Sequence, residues 1–109
     1  MKIADLAFGT TDWSTMEPTT HPGECGVALW RTRQFGAIRL RMVEYSAGYR
    51  ADHWCEKGHI VYCVSGELLT SLRDGRTFRL RSGMSYQVAD GMDAHRSSTE
   101  TGATLFIVD

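Results

Sequence analysis

An all-β sandwich or barrel is the fold class that the chain predicts, on three observations. Apolar and polar residues alternate over short runs. Glycine-bearing turns separate those runs at close spacing. No segment carries a convincing helical period, and there is no repeat, low-complexity tract or linker. The 109 residues make one domain with a modest core.

Taken in order, residues 3–8 are expected to form a short strand. Residues 9–25 carry Gly9, Pro18, Pro22 and Gly23 and read as a loop that drapes over the surface or covers something. His21, just before Pro22, reads as a solvated loop histidine. Residues 1–25 are thus an N-terminal strand and loop arm, and 26–109 the barrel proper. Val27, Leu29 and Arg31 alternate with Ala28, Trp30 and Thr32, which suits a strand ended by a turn at Phe35-Gly36. In residues 37–46, Ile38, Leu40 and Met42 share one face; Arg39, Arg41, Val43 and Tyr45 share the other. The two arginines read as solvated surface charges on the wet end of that strand. The sharper alternative puts one of them at a pocket mouth, facing an anion. Arg31 and Arg33 read as surface charge.

Ser46-Ala47-Gly48 is a turn. Residues 59–65 form an apolar strand, Gly66-Glu67 a turn, and 68–72 the next strand. Asp74-Gly75 between two strand-like runs is a strong hairpin signal, with 77–81 returning. Ser82-Gly83 turns into a strand over 84–89; 90–93 is loop; 95–99 and 103–108 are the last strands. Leu105–Asp109 reads as packed strand and not as a tail.

Composition excludes several classes of function. A net charge of −1 with no basic run interleaved with aromatics argues against nucleic acid and anionic membrane partners. Asp5 interrupts the short apolar N-terminal stretch, so no signal peptide is read, and no run approaches membrane-spanning length. Cys25, Cys55 and Cys63 are an odd number, which argues against a disulfide framework and for a reducing, cytoplasmic setting. Cys25 and Cys63 read as small buried or loop residues.

The chemistry concentrates in one constellation. His53, Cys55 and His59 fall within seven positions, and His95 joins them from two hairpins away. On an extended strand, residues i and i+2 point to one face roughly 6.5–7 Å apart, so His53 and Cys55 are expected to converge on one ion and Trp54 to point away. Imidazole and thiolate suit zinc and other borderline transition metals. If His59 points inward, Val61 and Cys63 do too, and Cys63 then lies roughly 13 Å along the strand, too far to ligate.

These residues resemble cupin motif one (Gly48, His53, Cys55, His59, Gly66) and motif two (Gly83, Gly91, His95). The run Asp52-His53-Trp54-Cys55 resembles the signature of the DHCW motif cupin-fold proteins, with Gly58-His59, Tyr86–Asp90, His95-Arg96-Ser97 and Leu105–Asp109 also similar. The resemblance runs from about Trp13 to Asp109 and implies a single double-stranded β-helix, a jelly-roll-like barrel. Cys55 stands where cupins usually carry a second histidine and His59 where they carry a glutamate, so the implied site is His53, Cys55, His59 and His95 around one divalent ion, zinc first, iron or nickel as alternatives. A homodimer is expected by the same analogy.

The resemblance carries no single activity, because cupins host isomerases, dioxygenases, decarboxylases, sugar-binding regulators and storage proteins. The leading expectation is a metalloenzyme acting on a small polar or anionic molecule, with Arg39, Arg41, Glu44, Tyr62 and Tyr86 as candidate pocket residues and Tyr86, Asp90 or Glu44 as candidate acid or base. Two others remain: a small-molecule binding or redox-sensing module with the metal as anchor, and a purely structural metal.

Overall fold

The computed structural model describes residues 2–109, and eight antiparallel strands carry the architecture. They are β1 (Thr19–Pro22), β2 (Val27–Phe35), β3 (Ile38–Tyr45), β4 (His59–Leu72), β5 (Thr77–Arg81), β6 (Ser85–Val88), β7 (His95–Ser98) and β8 (Ala103–Val108). The first sheet runs β1-β2-β3-β8-β4-β6, and the second is β5-β4-β7. The long strand β4 belongs to both: its first half lies between β8 and β6, its second half between β5 and β7.

A bulge makes that sharing possible. Cys63 pairs with Leu105 but Ser65 pairs with Thr104, so Val64 is the extra residue. Gly66 follows with φ +76°, and a Cβ there would lie 2.2 Å from the Gly102 carbonyl oxygen. Two backbones therefore meet at a point only glycine allows. The expected Gly66-Glu67 turn is thus corrected: the chain bends between sheets without leaving the strand.

The core follows from strand parity. Val61, Cys63 and Leu68 of β4 point inward and meet Val43 of β3 and Leu105 and Ile107 of β8, all buried. Cys63 is enclosed there, its Sγ directed at the Ser65 and Gly66 carbonyls and away from the histidines, as the spacing predicts. The glycine turns also stand as read: Gly36 and Gly75 take positive φ in the β2–β3 and β4–β5 hairpins.

The N-terminal region departs from expectation. Residues 3–8 form no strand and stay exposed, with the Phe8 side chain out in solvent. The segment read as loop contains a 3-10 turn at Trp13–Thr15, capped by the Asp12 carboxylate, and then β1. Thr19 and Thr20 are β-branched, and at the sheet edge the missing amide of Pro22 costs little. His21 sits on β1, not in a solvated loop: its ring stacks on Trp30 at 3.8 Å and its Nε2 is 2.7 Å from Thr19 Oγ1.

Candidate metal and ligand site

The floor of the barrel brings three predicted ligands together. His59 opens β4 and points inward with Val61; His95 opens β7; Cys55 lies on the preceding segment, held by a two-bond backbone bridge to His95 (2.8 and 3.0 Å). Their ligand atoms all lie within 4.8 Å of one another.

The fourth expected ligand stands apart. Residues 52–53 bend and do not continue a strand, so His53 and Cys55 do not share a face as the alternation predicts. The His53 side chain is 75% exposed, with Nδ1 2.6 Å from Asp52 Oδ1. It reaches only the rim of the cavity beside the cluster. Trp54 lies under the guanidinium groups of Arg73 and Arg96.

The hydrogen bonding of the two imidazoles tests whether a cation fits. His95 Nδ1 is 3.1 Å from the Asp93 carbonyl oxygen, which only accepts; Nδ1 therefore carries the proton and Nε2 presents a lone pair. That lone pair faces His59 Nε2 at 2.8 Å. His59 Nδ1 is buried without a hydrogen-bond partner, 3.7 Å from an Asp109 carboxylate oxygen. If His59 protonates at Nδ1, two lone pairs oppose each other at Nε2. If it protonates at Nε2, a bare Nδ1 opposes a carboxylate. A cation taken up by Cys55, His59 and His95 would resolve the conflict and leave the His59 Nδ1–H for Asp109. The residues fit a metal.

Burial and the neighbouring His95 hold the His59 imidazole at a pKa of about 4, so it is neutral and ready to ligate at ordinary pH. Tyr86 Oη lies 3.2 Å from His59 Nε2. Burial raises the Tyr86 phenol well above its usual range, reinforced by Tyr45 and Cys55, so it keeps its proton.

Above the cluster lies a cavity of about 360 Å³, walled by Trp30, Arg39, Arg41, Tyr45, Tyr86 and Ile107 among others. The arginines are not solvated surface groups: Arg41 is only 6% exposed, and both turn inward with Val43. The structure supplies their partner. Asp109 follows Leu105 and Ile107 on the inward face of β8, with a fully buried side chain. It accepts two hydrogen bonds from Arg39 (2.8 and 3.0 Å) and one from Arg41 (2.9 Å). Burial works to raise the Asp109 carboxyl, but the Arg39 hydrogen bond and the two positive charges outweigh it and hold it low. Two guanidinium groups against one carboxylate leave one uncompensated positive charge, and Arg41 Nε is buried without a partner. Arg41 also stacks 4.4 Å over Trp30.

Of the five candidate pocket residues, Arg39, Arg41 and Tyr86 therefore line the cavity. Glu44 lies on the other face of β3, paired with Arg31 at 2.7 Å, and Tyr62 points out from β4. Asp90 accepts from the Gly58 amide at 2.6 Å and braces the approach to His59. Trp30, Tyr45 and Asp109 were legible only by parity, each two residues on from an inward neighbour (Ala28, Val43 and Ile107).

Among the described residues no helix is long and apolar enough to cross a membrane. No family model matches the chain, and no curated protein matches it in sequence. Its backbone is similar to solved structures. A predicted oxalate decarboxylase from Thermotoga maritima aligns with TM-score 0.79 at 13% identity, over 92% of this chain and 96% of that one. The polyketide cyclase RemF from Streptomyces resistomycificus gives 0.75 at 21%, over 94% and 78%. A cupin-2 domain containing protein from Shewanella frigidimarina gives 0.61 at 17%, over 73% and 78%. Likeness at these identities speaks for backbone architecture, and with the two-sheet topology it makes the chain a cupin-fold barrel.

Proposed function

We propose that this is a small metalloenzyme of the DHCW motif cupin type, acting on a small anionic molecule at a metal held by Cys55, His59 and His95. One observation carries the reading: two inward imidazole nitrogens face each other at 2.8 Å, in reach of a cysteine sulfur, beneath a cavity with an unpartnered buried arginine N–H. One sulfur and two nitrogens favour zinc over harder ions. Three protein ligands, in place of the four that spacing suggests, match the open pattern of catalytic sites better than the closed pattern of structural ones.

A bound divalent ion supplies Lewis acidity toward a ligand oxygen. The chain's residues do the rest. Arg41, with Arg39 behind it, binds and orients the anionic group. Trp30 and Tyr45 wall the cavity and limit water. Tyr86 holds a proton at Oη beside the ligand set and delivers it to a developing negative oxygen.

The test is metal content by mass spectrometry together with calorimetric titration of acetate. About one equivalent of metal is expected in the wild type, lost in Cys55→Ser and His95→Ala and kept in His53→Ala. Acetate binding is expected to fall at least tenfold in Arg41→Gln. Equal metal in all four proteins sinks the ligand assignment; equal acetate binding sinks the anion site.

A further inference from the structure

Opposed residues in an antiparallel sheet share a face, so the outward side of the large sheet carries two rows that run from β2 to β4. One is Arg31, Met42, Phe106 and Tyr62; the other is Arg33, Leu40, Val108 and Ile60. Each row is charged at its β2 end and apolar or aromatic over β3, β8 and β4. The N-terminal segment covers part of this face. Arg31 Nε donates to the Met16 carbonyl at 2.9 Å, and Arg33 Nη1 donates to Thr11 Oγ1 at 3.4 Å. The Trp13 ring meets Phe106 edge-on, with centroids 6.2 Å apart. At β4 the face is open: Ile60, Tyr62 and the bulge residue Val64 stay 40–44% exposed.

The same segment carries apolar side chains that stand in solvent. Ile3 and Leu6 are exposed, and Phe8 is 99% exposed. A bare apolar strip and a bare apolar peptide thus occur in one chain, either side of the residues 11–16 that already lie on that face. The chain's own arm is poorly placed to close the gap. Its anchor at Thr11 is to Arg33 of β2, three strand spacings or about 14 Å from β4. The three residues from Thr11 back to Phe8 span about 11 Å at full stretch. A neighbouring copy's arm meets no such limit. The area is sufficient for an interface. At about 150–250 Å² per large side chain, the six exposed residues leave roughly 600 Å² per chain, and a reciprocal exchange buries up to about 1,200 Å², the lower bound of a specific contact.

We propose that residues 3–8 of one chain dock across the β4 strip of a second copy, Phe8 against Ile60 and Tyr62, while the second copy's arm does the same in return. The exchange is isologous, so it closes at two chains. No residue of the metal or anion site takes part.

Sedimentation equilibrium of the whole chain, from micromolar to submillimolar concentration, tests it. A dimer with a micromolar dissociation constant is expected, as suits an interface of this size. Phe8→Ser and Tyr62→Lys alter exposed positions, and each is expected to weaken association by about tenfold with the urea melt unchanged. An equimolar mixture of the two is expected to associate more tightly than either alone, because a mixed pair joins the intact arm of one to the intact strip of the other. A monomeric wild type, which an arm folded onto its own chain would give, overturns the proposal. So does a dimer indifferent to Phe8→Ser, which would be a sheet-to-sheet contact without the arm, and so does a mixture no tighter than its components. A dimer that needs Phe8 but not Tyr62 overturns the β4 face as the seat of the arm.

Discussion

Asp109 is the residue on which the two halves of the site meet. One carboxylate takes hydrogen bonds from Arg39 and Arg41 and faces the far nitrogen of His59. A carboxylate behind a ligating imidazole fixes its tautomer and raises its basicity, and loss of such a partner weakens metal binding about 10–100-fold. Asp109→Asn keeps the shape and removes the charge. The expected outcome is zinc affinity lower by that factor, measured by chelator competition; equal affinities would show that His59 needs no carboxylate. His59 also sets a pH dependence in the metal-free protein. Its folded pKa of about 4 lies below the unfolded value of about 6.5, so between those limits the unfolded chain binds more protons and stability falls as pH falls. After allowance for residual solvent screening the loss is about 2 kcal/mol. Urea melts at pH 7 and pH 4.5 are expected to show it, with a smaller loss in His59→Gln. Much of this was hidden from the sequence. The cluster of Cys55, His59 and His95 could be named from type and spacing, but His53 was grouped with it on a strand parity that the bend at Asp52-His53 breaks. Arg39 and Arg41 looked solvated because their partner lies some seventy positions away, beyond any local pattern.

At the scale of elements, the strands from β2 onward were legible because period-two alternation and glycine turns are local signals. What could not be read was how β4 continues. A glycine with positive φ serves a turn and a bulge equally well, and only the Gly102 carbonyl decides between them. The two hairpin-like glycines on either side of the second half of β4 therefore differ sharply in tolerance. Gly75→Ala meets no atom within 4 Å, so only backbone strain of about 1–2 kcal/mol is expected. Gly66→Ala adds a collision with backbone to the same strain, and a loss of about 4 kcal/mol or more is expected. Chemical denaturation of the two variants beside wild type measures the contrast; equal losses would mean that the β4 bend relaxes freely. β1 was missed for the opposite reason. Pro18 and Pro22 are breakers by composition, yet at a sheet edge one precedes a short strand and the other ends it without removing a needed bond.

For the whole molecule, the sharing of β4 between sheets has a kinetic consequence. β4 pairs with four other strands, and the strand that joins its first half to the remainder of the large sheet is β8, residues 103–108. During synthesis at about 5–20 residues per second, the β2–β3 and β4–β5 hairpins emerge from the ribosome seconds before β8 exists to bridge them. In that interval the inward arginines of β3 have no Asp109, the histidines have no enclosed floor, and the open edges of β3 and β4 stand free to pair with other chains. The nascent barrel is an assembly waiting for its keystone, and its vulnerability to aggregation is concentrated in the time before that strand is released.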